Sequence, residues 1–145
     1  MKKSFQHHSS PKLTNLFTML LVNQEPVMSM VLSHHLGQFI SAYHGSCGRL
    51  AVFSNAGDSL ASFINSPWSF RVSLSFQLLR MASMLSNNSL GLAIYPTDWA
   101  AENFAVDKSG VVRLIDLENI VLVNQSKVAM TQTPGTIFWL KILFI

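Results

Sequence analysis

A predicted β-hairpin over residues 103–115 constrains the fold of this chain more than any other feature of its sequence. Residues 103–106 and 111–115 are short apolar runs rich in β-branched side chains, which favour strands. The four residues between the runs are Asp-Lys-Ser-Gly, a turn sequence in which Gly110 can take a positive φ. A hairpin brings its two ends together, so the residues that flank it are expected to meet.

Three polar residues surround this hairpin at fixed intervals. Asp98 precedes Asn103 by five positions, and Asp116 follows Asn103 by thirteen. We expect Asn103 and Asp116 to meet on one side of a cleft and Asp98 to reach in from the loop before them. Carboxylate and amide oxygens are ligands that Mg²⁺ accepts, and two carboxylates in one cleft repel each other without a cation. The alternative is structural: Asp98 caps a turn, Asn103 starts a strand and Asp116 ends one.

The charge distribution makes the region around the hairpin unusual. Seven of the 145 residues are acidic, and five of these fall between positions 98 and 118. The ten Lys and Arg residues give a net charge of +3 but form no basic run beyond Lys2-Lys3, so we predict no nucleic-acid partner. No window supplies about 18 consecutive apolar residues, so no transmembrane span is expected.

The rest of the chain predicts alternating helices and short strands, and hence an α+β fold. The long segment that begins at Ser66-Pro67 is ambiguous, because Phe70, Val72, Leu74 and Phe76 alternate as in a strand. Its length and its Ser-Pro start favour a helix. The predicted elements are a buried helix at 16–22, a helix at 26–36, a buried strand at 50–53, a connector at 54–57, a short helix capped by Asp58 and reaching Phe63, a long helix at 67–86, a buried stretch at 90–94 and a strand at 120–123.

Isolated Cys and His residues are interpreted as structural. Cys47 is the single cysteine, and a lone cysteine is more often a small core residue than a nucleophile. The pairs His7-His8 and His34-His35 lack a further ligand at metal-binding spacing, so we do not predict a metal site at either pair.

Several separated motifs resemble one family of proteins. They are Y-H-G-S-C-G-R-L (43–50), S-P-W-S-F-R-V (66–72), T-D-W-A-A-E-N-F-A-V (97–106) and I-D-L-E-N (115–119). Together with the Asp-Asn-Asp spacing, they resemble the divergent protein kinase domain family, also called family with sequence similarity 69, and particularly its deleted-in-autism branch. The resemblance covers roughly residues 25–124.

The resemblance implies a site for ATP and Mg²⁺. In such a kinase, the segment Ser54, Asn55, Ala56 and Gly57 is the hinge that faces adenine, and residues 67–86 form the helix that supports the catalytic loop. Asp98 corresponds to the catalytic base, and Asn103 and Asp116 correspond to the metal ligands. The implied partners are a nucleotide and an unidentified protein partner or substrate. The implied location is the secretory pathway, where a disulfide partner for Cys47 is also expected.

The chain also departs from the usual kinase pattern. Pro96-Thr97 replaces the His-Arg of the catalytic loop, and Leu117-Glu118 replaces Phe-Gly after the metal-binding Asp. No glycine-rich phosphate loop is present, and no lysine lies in a strand setting ahead of the hinge. Glu25 is the only acidic residue available as the partner of such a lysine, and we do not assign it that role.

These departures predict a partial protein-kinase-like fold made of the hinge, the supporting helix and the catalytic-loop hairpin, without most of the N-lobe and the distal C-lobe. The expected division is a poorly ordered or partial segment at 1–24, the kinase-like domain at 25–124 and a divergent apolar tail at 125–145. We expect kinase ancestry with Mg²⁺-dependent phosphoryl transfer from ATP, and an inactive chain as it stands. One alternative is a pseudokinase or interaction module, and another is a small membrane-associated protein.

Overall fold

The computed structural model describes residues 11–47 and 50–126, which form a mixed arrangement of helices and short strands. The predictions for His7-His8 and for most of the apolar tail lie outside these residues. The elements, in chain order, are α1 (Pro11–Val22), α2 (Glu25–Leu36), β1 (Tyr43–Cys47), β2 (Leu50–Phe53), β3 (Asp58–Ser59), a 3₁₀ turn (Leu60–Phe63), α3 (Trp68–Ser86), β4 (Leu92–Pro96), a second 3₁₀ turn (Ala101–Asn103), β5 (Phe104–Val106), β6 (Val112–Leu114) and β7 (Ile120–Asn124).

The described strands pair into three small antiparallel sheets. β1 pairs with β2, β4 pairs with β7, and β3 joins the β5–β6 hairpin at its β5 edge. The predicted hairpin is therefore confirmed, with Phe104 opposite Leu114 and Val106 opposite Val112. Gly110 has a φ of 80°, the positive value that this turn requires.

The hydrophobic core lies where α2, α3 and the hairpin meet. Each fully buried aliphatic side chain in such a core contributes about 1.5–3 kcal/mol relative to an exposed one. This packing fixes the hairpin against the two helices, and thereby fixes the residues at its ends. The most deeply buried members are Leu32, Leu36, Ile40, Met81, Leu85, Ile94, Val112, Leu114 and Leu117.

The ambiguous segment after Ser66 is a helix of 19 residues. Leu74, Met81 and Leu85 face the core at helical spacing, whereas Phe76 is 67% exposed. The alternation of apolar residues in this segment therefore does not reflect a strand. The expected start is wrong by one position, because Pro67 is the N-cap residue and α3 begins at Trp68.

Four local predictions concern burial and capping, and they are corrected. β2 is only half buried, since Leu50 is 75% exposed, because its two-stranded sheet is covered on one face only. Cys47 is exposed at the end of β1 and is not a core residue. Leu21 in α1 is 87% exposed, because this helix does not pack extensively against the other described elements. Ser59, not Asp58, caps the first 3₁₀ turn, since its hydroxyl accepts from the backbone N–H of Ala61.

Candidate active site

Asp98 and Asn103 are joined directly through their side chains. The amide nitrogen Nδ2 of Asn103 donates to Oδ2 of Asp98 at 3.0 Å and to the Asp98 backbone carbonyl at 3.3 Å. The 3₁₀ turn over Ala101–Asn103 folds the chain back so that this contact can form. Oδ1 of Asn103 accepts no hydrogen bond from the described residues, so it remains available as a ligand oxygen.

The hairpin places Asp116 beside this pair. The backbone N–H of Ile115 donates to the carbonyl of Asn103 at 2.9 Å, so the last residue before Asp116 is paired with Asn103. Oδ1 of Asp116 accepts from the backbone N–H of Glu118 at 3.0 Å. Its Oδ2 accepts no hydrogen bond from the described residues. One carboxylate oxygen is therefore uncommitted at this end of the hairpin.

A second connection ties together the two loops that carry Asp98 and Asp116. The backbone N–H and the hydroxyl of Thr97 both donate to the carbonyl of Asn119, at 2.9 and 3.0 Å. Thr97 directly precedes Asp98, and Asn119 begins the approach to β7. The Thr97 hydroxyl thus anchors the loop that carries Asp98 to the residue that precedes β7.

A cavity of about 250 Å³ lies between the predicted hinge and the hairpin. Its wall includes the whole predicted hinge, and Ile115 in the wall directly precedes Asp116. A ligand in the cavity would thus lie close to the Asp116 loop. The cavity is lined by Ser41, Phe53, Ser54, Asn55, Ala56, Gly57, Ala105 and Ile115.

The hinge backbone is held on both sides of Ala56. The N–H of Ser54 donates to the Ala42 carbonyl at 2.8 Å, and the N–H of Gly57 donates to the side-chain oxygen of Asn55 at 2.9 Å. Ala56 is buried, yet its own N–H and C=O form no hydrogen bond within residues 11–47 and 50–126. These two backbone groups therefore retain hydrogen-bonding capacity in a residue that lines the cavity.

Gly57 is required by the close approach of the hinge to β5. A Cβ atom at this position would lie 2.0 Å from the carbonyl oxygen of Val106, and the residue has a φ of 106°. Only glycine meets both conditions without a shift of the backbone. Backbone packing alone therefore accounts for a glycine at position 57.

Glu25 reaches the site from α2, a contact that the sequence did not predict. Burial raises the pKa of Glu25 above its ordinary value, and the nearby Asp116 and Glu118 carboxylates raise it further, while the backbone N–H of Leu117 opposes these effects. The adjacent Gln24 donates through its side chain to the backbone carbonyl of Glu118. The first turn of α2 therefore contacts the loop that carries Asp116.

The acidic cluster seen in the sequence separates into two groups. Asp107 lies in the hairpin turn, where its Oδ1 accepts from the N–H groups of Ser109 and Val111 and its Oδ2 bonds Arg113. Arg113 lowers the pKa of Asp107 well below its usual range. Asp107 thus stabilises the turn, whereas Asp98 and Asp116 lie near the other end of the same hairpin.

The donor set fits Mg²⁺ held together with a phosphate. Within the described ranges, no group of three or more His, Cys, Asp or Glu side chains is placed to enclose a metal ion. Asn103 and Asp116 nevertheless supply amide and carboxylate oxygens, and Mg²⁺ commonly binds one or two such protein ligands plus substrate phosphates and water. A complete protein cage is not needed for that mode of binding.

Two comparisons with known proteins identify the family of the chain. The model of the family described as "Protein-kinase domain of FAM69" matches residues 17–136, a longer stretch than the predicted domain at 25–124. The proteins called "Divergent protein kinase domain 2A" from Xenopus tropicalis, Mus musculus and Homo sapiens are each 31% identical over 125 residues, which is 86% of this chain. The chain spans 29% of the length of these curated relatives.

None of the helices in the described part of the chain combines the length and the apolar character needed to cross a bilayer.

Proposed function

Because this chain belongs to the FAM69 protein-kinase-domain family, we propose that it carries one wall of a site for a nucleotide and Mg²⁺, derived from ATP-dependent phosphoryl transfer. The observation that carries the proposal is the direct hydrogen bond between Asp98 and Asn103, and it is supported by the Asp116 oxygen that has no partner among the described residues and by the cavity between the predicted hinge and the hairpin.

The proposed roles follow from the chemistry of each group. Ala56 pairs with the nucleotide base through its free backbone N–H and C=O, while Asn103 and Asp116 are the metal ligands. When bound, Mg²⁺ would neutralise phosphate charge. Asp98 orients the acceptor hydroxyl through Oδ1, since its Oδ2 is held by Asn103. Asn103 therefore also acts as a positioning residue for Asp98.

A titration of the full chain with a non-hydrolysable ATP analogue tests this proposal. We expect calorimetry to show binding that strengthens when MgCl₂ replaces EDTA, and we expect Asn103→Ala to remove the magnesium effect. Asn65→Ala is the matched control, because Asn65 is exposed and does not line the cavity. Binding that is indifferent to both Mg²⁺ and Asn103→Ala would overturn the proposal.

The same preparation separates a kinase from a pseudokinase. With ATP in place of the analogue, formation of ADP that depends on Asp98 would indicate transfer or hydrolysis at this site. Magnesium-dependent binding without ADP formation would instead select the pseudokinase alternative. The chain spans 29% of the length of the curated relatives. Phosphoryl transfer by a whole protein of this family is therefore a proposal and not a finding for this chain.

We place the chain in the secretory pathway on the strength of the family resemblance. Expression of the full chain in animal cells, followed by protease treatment of isolated microsomes with and without detergent, tests this location. Protection that is lost on adding detergent is the expected result. Digestion without detergent would contradict it.

A further inference from the structure

We propose that Asn87 and Asn124 are acceptors for N-linked glycans when the chain enters the secretory pathway. The sequence contains two Asn-x-Ser patterns in which x is not proline, Asn87-Asn88-Ser89 and Asn124-Gln125-Ser126. This pattern marks glycan acceptors, which lie on the surface of secreted proteins. The proposal rests on the compartment proposed above but not on nucleotide binding.

The structure makes Asn87 suitable for a bulky modification. Asn87 is exposed directly after the last residue of α3, and its side-chain amide forms no hydrogen bond to the described residues. Its neighbour Asn88 is different, since Nδ2 of Asn88 donates to the carbonyls of Met84, Leu85 and Leu92. The first asparagine is free for modification, and the second is part of the fold.

Asn124 is also exposed, and its side chain already contacts the hydroxyl residue of its own pattern. Oδ1 of Asn124 accepts from the backbone N–H of Ser126 at 3.0 Å and from the Ser126 hydroxyl at 2.6 Å. Nδ2 of Asn124 bonds to none of the described residues. The nitrogen that would carry the sugar is therefore accessible, and the serine on which the pattern depends lies against the same amide.

Both asparagines lie at one end of the molecule, away from the candidate active site. Asn124 is paired with Leu92 at the start of β4, and the side chain of Gln125 donates to the carbonyl of Ser86 next to Asn87. Asp98 follows the opposite end of β4. A strand of five residues at about 3.3 Å per residue separates its ends by roughly 13 Å. Glycans at this end would leave the cleft open.

The modification is a group transfer with one bond formed and one broken. Nδ2 of the asparagine bonds to the anomeric carbon of an oligosaccharide carried on a lipid pyrophosphate, the co-reactant of the proposal. The bond from that carbon to the pyrophosphate oxygen breaks, and the lipid pyrophosphate leaves with the electron pair. The amide nitrogen loses one proton to a base of the transferring enzyme, and nothing is oxidised or reduced.

Translation of the full chain with an added cleavable secretion signal, in the presence of microsomes, tests this assignment independently of the natural compartment. Only the protease-protected product is scored. On a denaturing gel, each attached glycan shifts the chain upward by one step. We expect this product to migrate two steps above the unmodified chain and to return to its position after treatment with peptide N-glycosidase. Asn87→Gln and Asn124→Gln should each remove one step, and the double variant should remove both.

Two controls separate loss of the acceptor from misfolding. Asn88→Gln removes structural hydrogen bonds but preserves an Asn-Gln-Ser pattern, so both steps should persist. Ser89→Ala and Ser126→Ala should each remove one step, whereas Ser89→Thr and Ser126→Thr should retain it. A protected chain that stays at the unmodified position would overturn the proposal, and a missing single step would overturn it for the corresponding asparagine.

Discussion

Asp107 lies in the turn of the hairpin and Asp116 follows its second strand, and the protein uses their carboxylates differently. Oδ1 of Asp107 accepts three hydrogen bonds from Ser109 and Val111, and Oδ2 bonds Arg113. Asp116 accepts one hydrogen bond, from Glu118, among the described residues. A fully satisfied carboxylate stabilises a turn, whereas a partly satisfied one retains capacity for a ligand. The comparison therefore separates a structural aspartate from a candidate functional one within a single hairpin.

Removing the support of the turn should have the largest effect on stability. Gln77 on α3 donates to the carbonyl of Gly110 at 2.8 Å and accepts from the N–H of Val112 at 3.0 Å. Gln77→Ala leaves two part-buried backbone groups unpaired, and we expect a loss of about 1–3 kcal/mol in the free energy of unfolding. Urea denaturation measures this loss. The exposed Gln38 supplies the control, and an equal loss in Gln38→Ala would contradict the assigned role of Gln77.

Asp107 should make stability depend on acid pH. Its pKa is lower in the folded chain than in the unfolded chain, so its contribution is complete above the unfolded pKa of about 3.9 and is lost as the pH falls towards the folded value. We expect the unfolding free energy of the unmodified chain to fall more steeply below about pH 4 than that of Asp107→Asn. Arg113→Gln should also make the unfolding free energy fall less steeply below that pH. The same dependence on pH in all three proteins would refute this explanation.

Glu25 should have the opposite and smaller dependence on pH. Because its pKa is raised in the folded chain, the folded state binds the proton more readily, and stability falls as the pH rises from 4.5 through the raised value. Glu25→Gln removes the buried charge beside Asp116, so we expect this variant to be more stable than the unmodified chain at pH 7. The gain should disappear below about pH 4. A variant that is less stable at pH 7 would show that the hydrogen bond to Leu117 outweighs the charge.

The hairpin and the long helix could be predicted from the sequence because local rules determine them. The Asp-Lys-Ser-Gly turn and its flanking β-branched runs specify the hairpin, and the spacing of Leu74, Met81 and Leu85 specifies the buried face of α3. Both signals are contained within a few residues, so no distant contact was needed to interpret them.

Features that depend on distant contacts could not be predicted in this way. Strand β1 contains Gly45 and polar side chains, and it forms by pairing with β2. Glu25 approaches Asp116 across 91 positions of sequence because α2 packs beside the hairpin. The exposure of Cys47 and Leu50 likewise depends on which face of a two-stranded sheet is covered. The roles of Asp98, Asn103, Asp116 and the hinge remain predictions.

The most direct test compares Asp116→Asn with Asp107→Asn in magnesium-dependent binding of an ATP analogue, measured by calorimetry at neutral pH, where both variants are first shown to be folded. Loss of a metal ligand should cost at least the roughly 10- to 100-fold in affinity that loss of an outer-shell partner costs. We predict that Asp116→Asn loses the enhancement by Mg²⁺ and that Asp107→Asn retains it. Retention in Asp116→Asn, or equal loss in both variants, would contradict the distinction between the two aspartates.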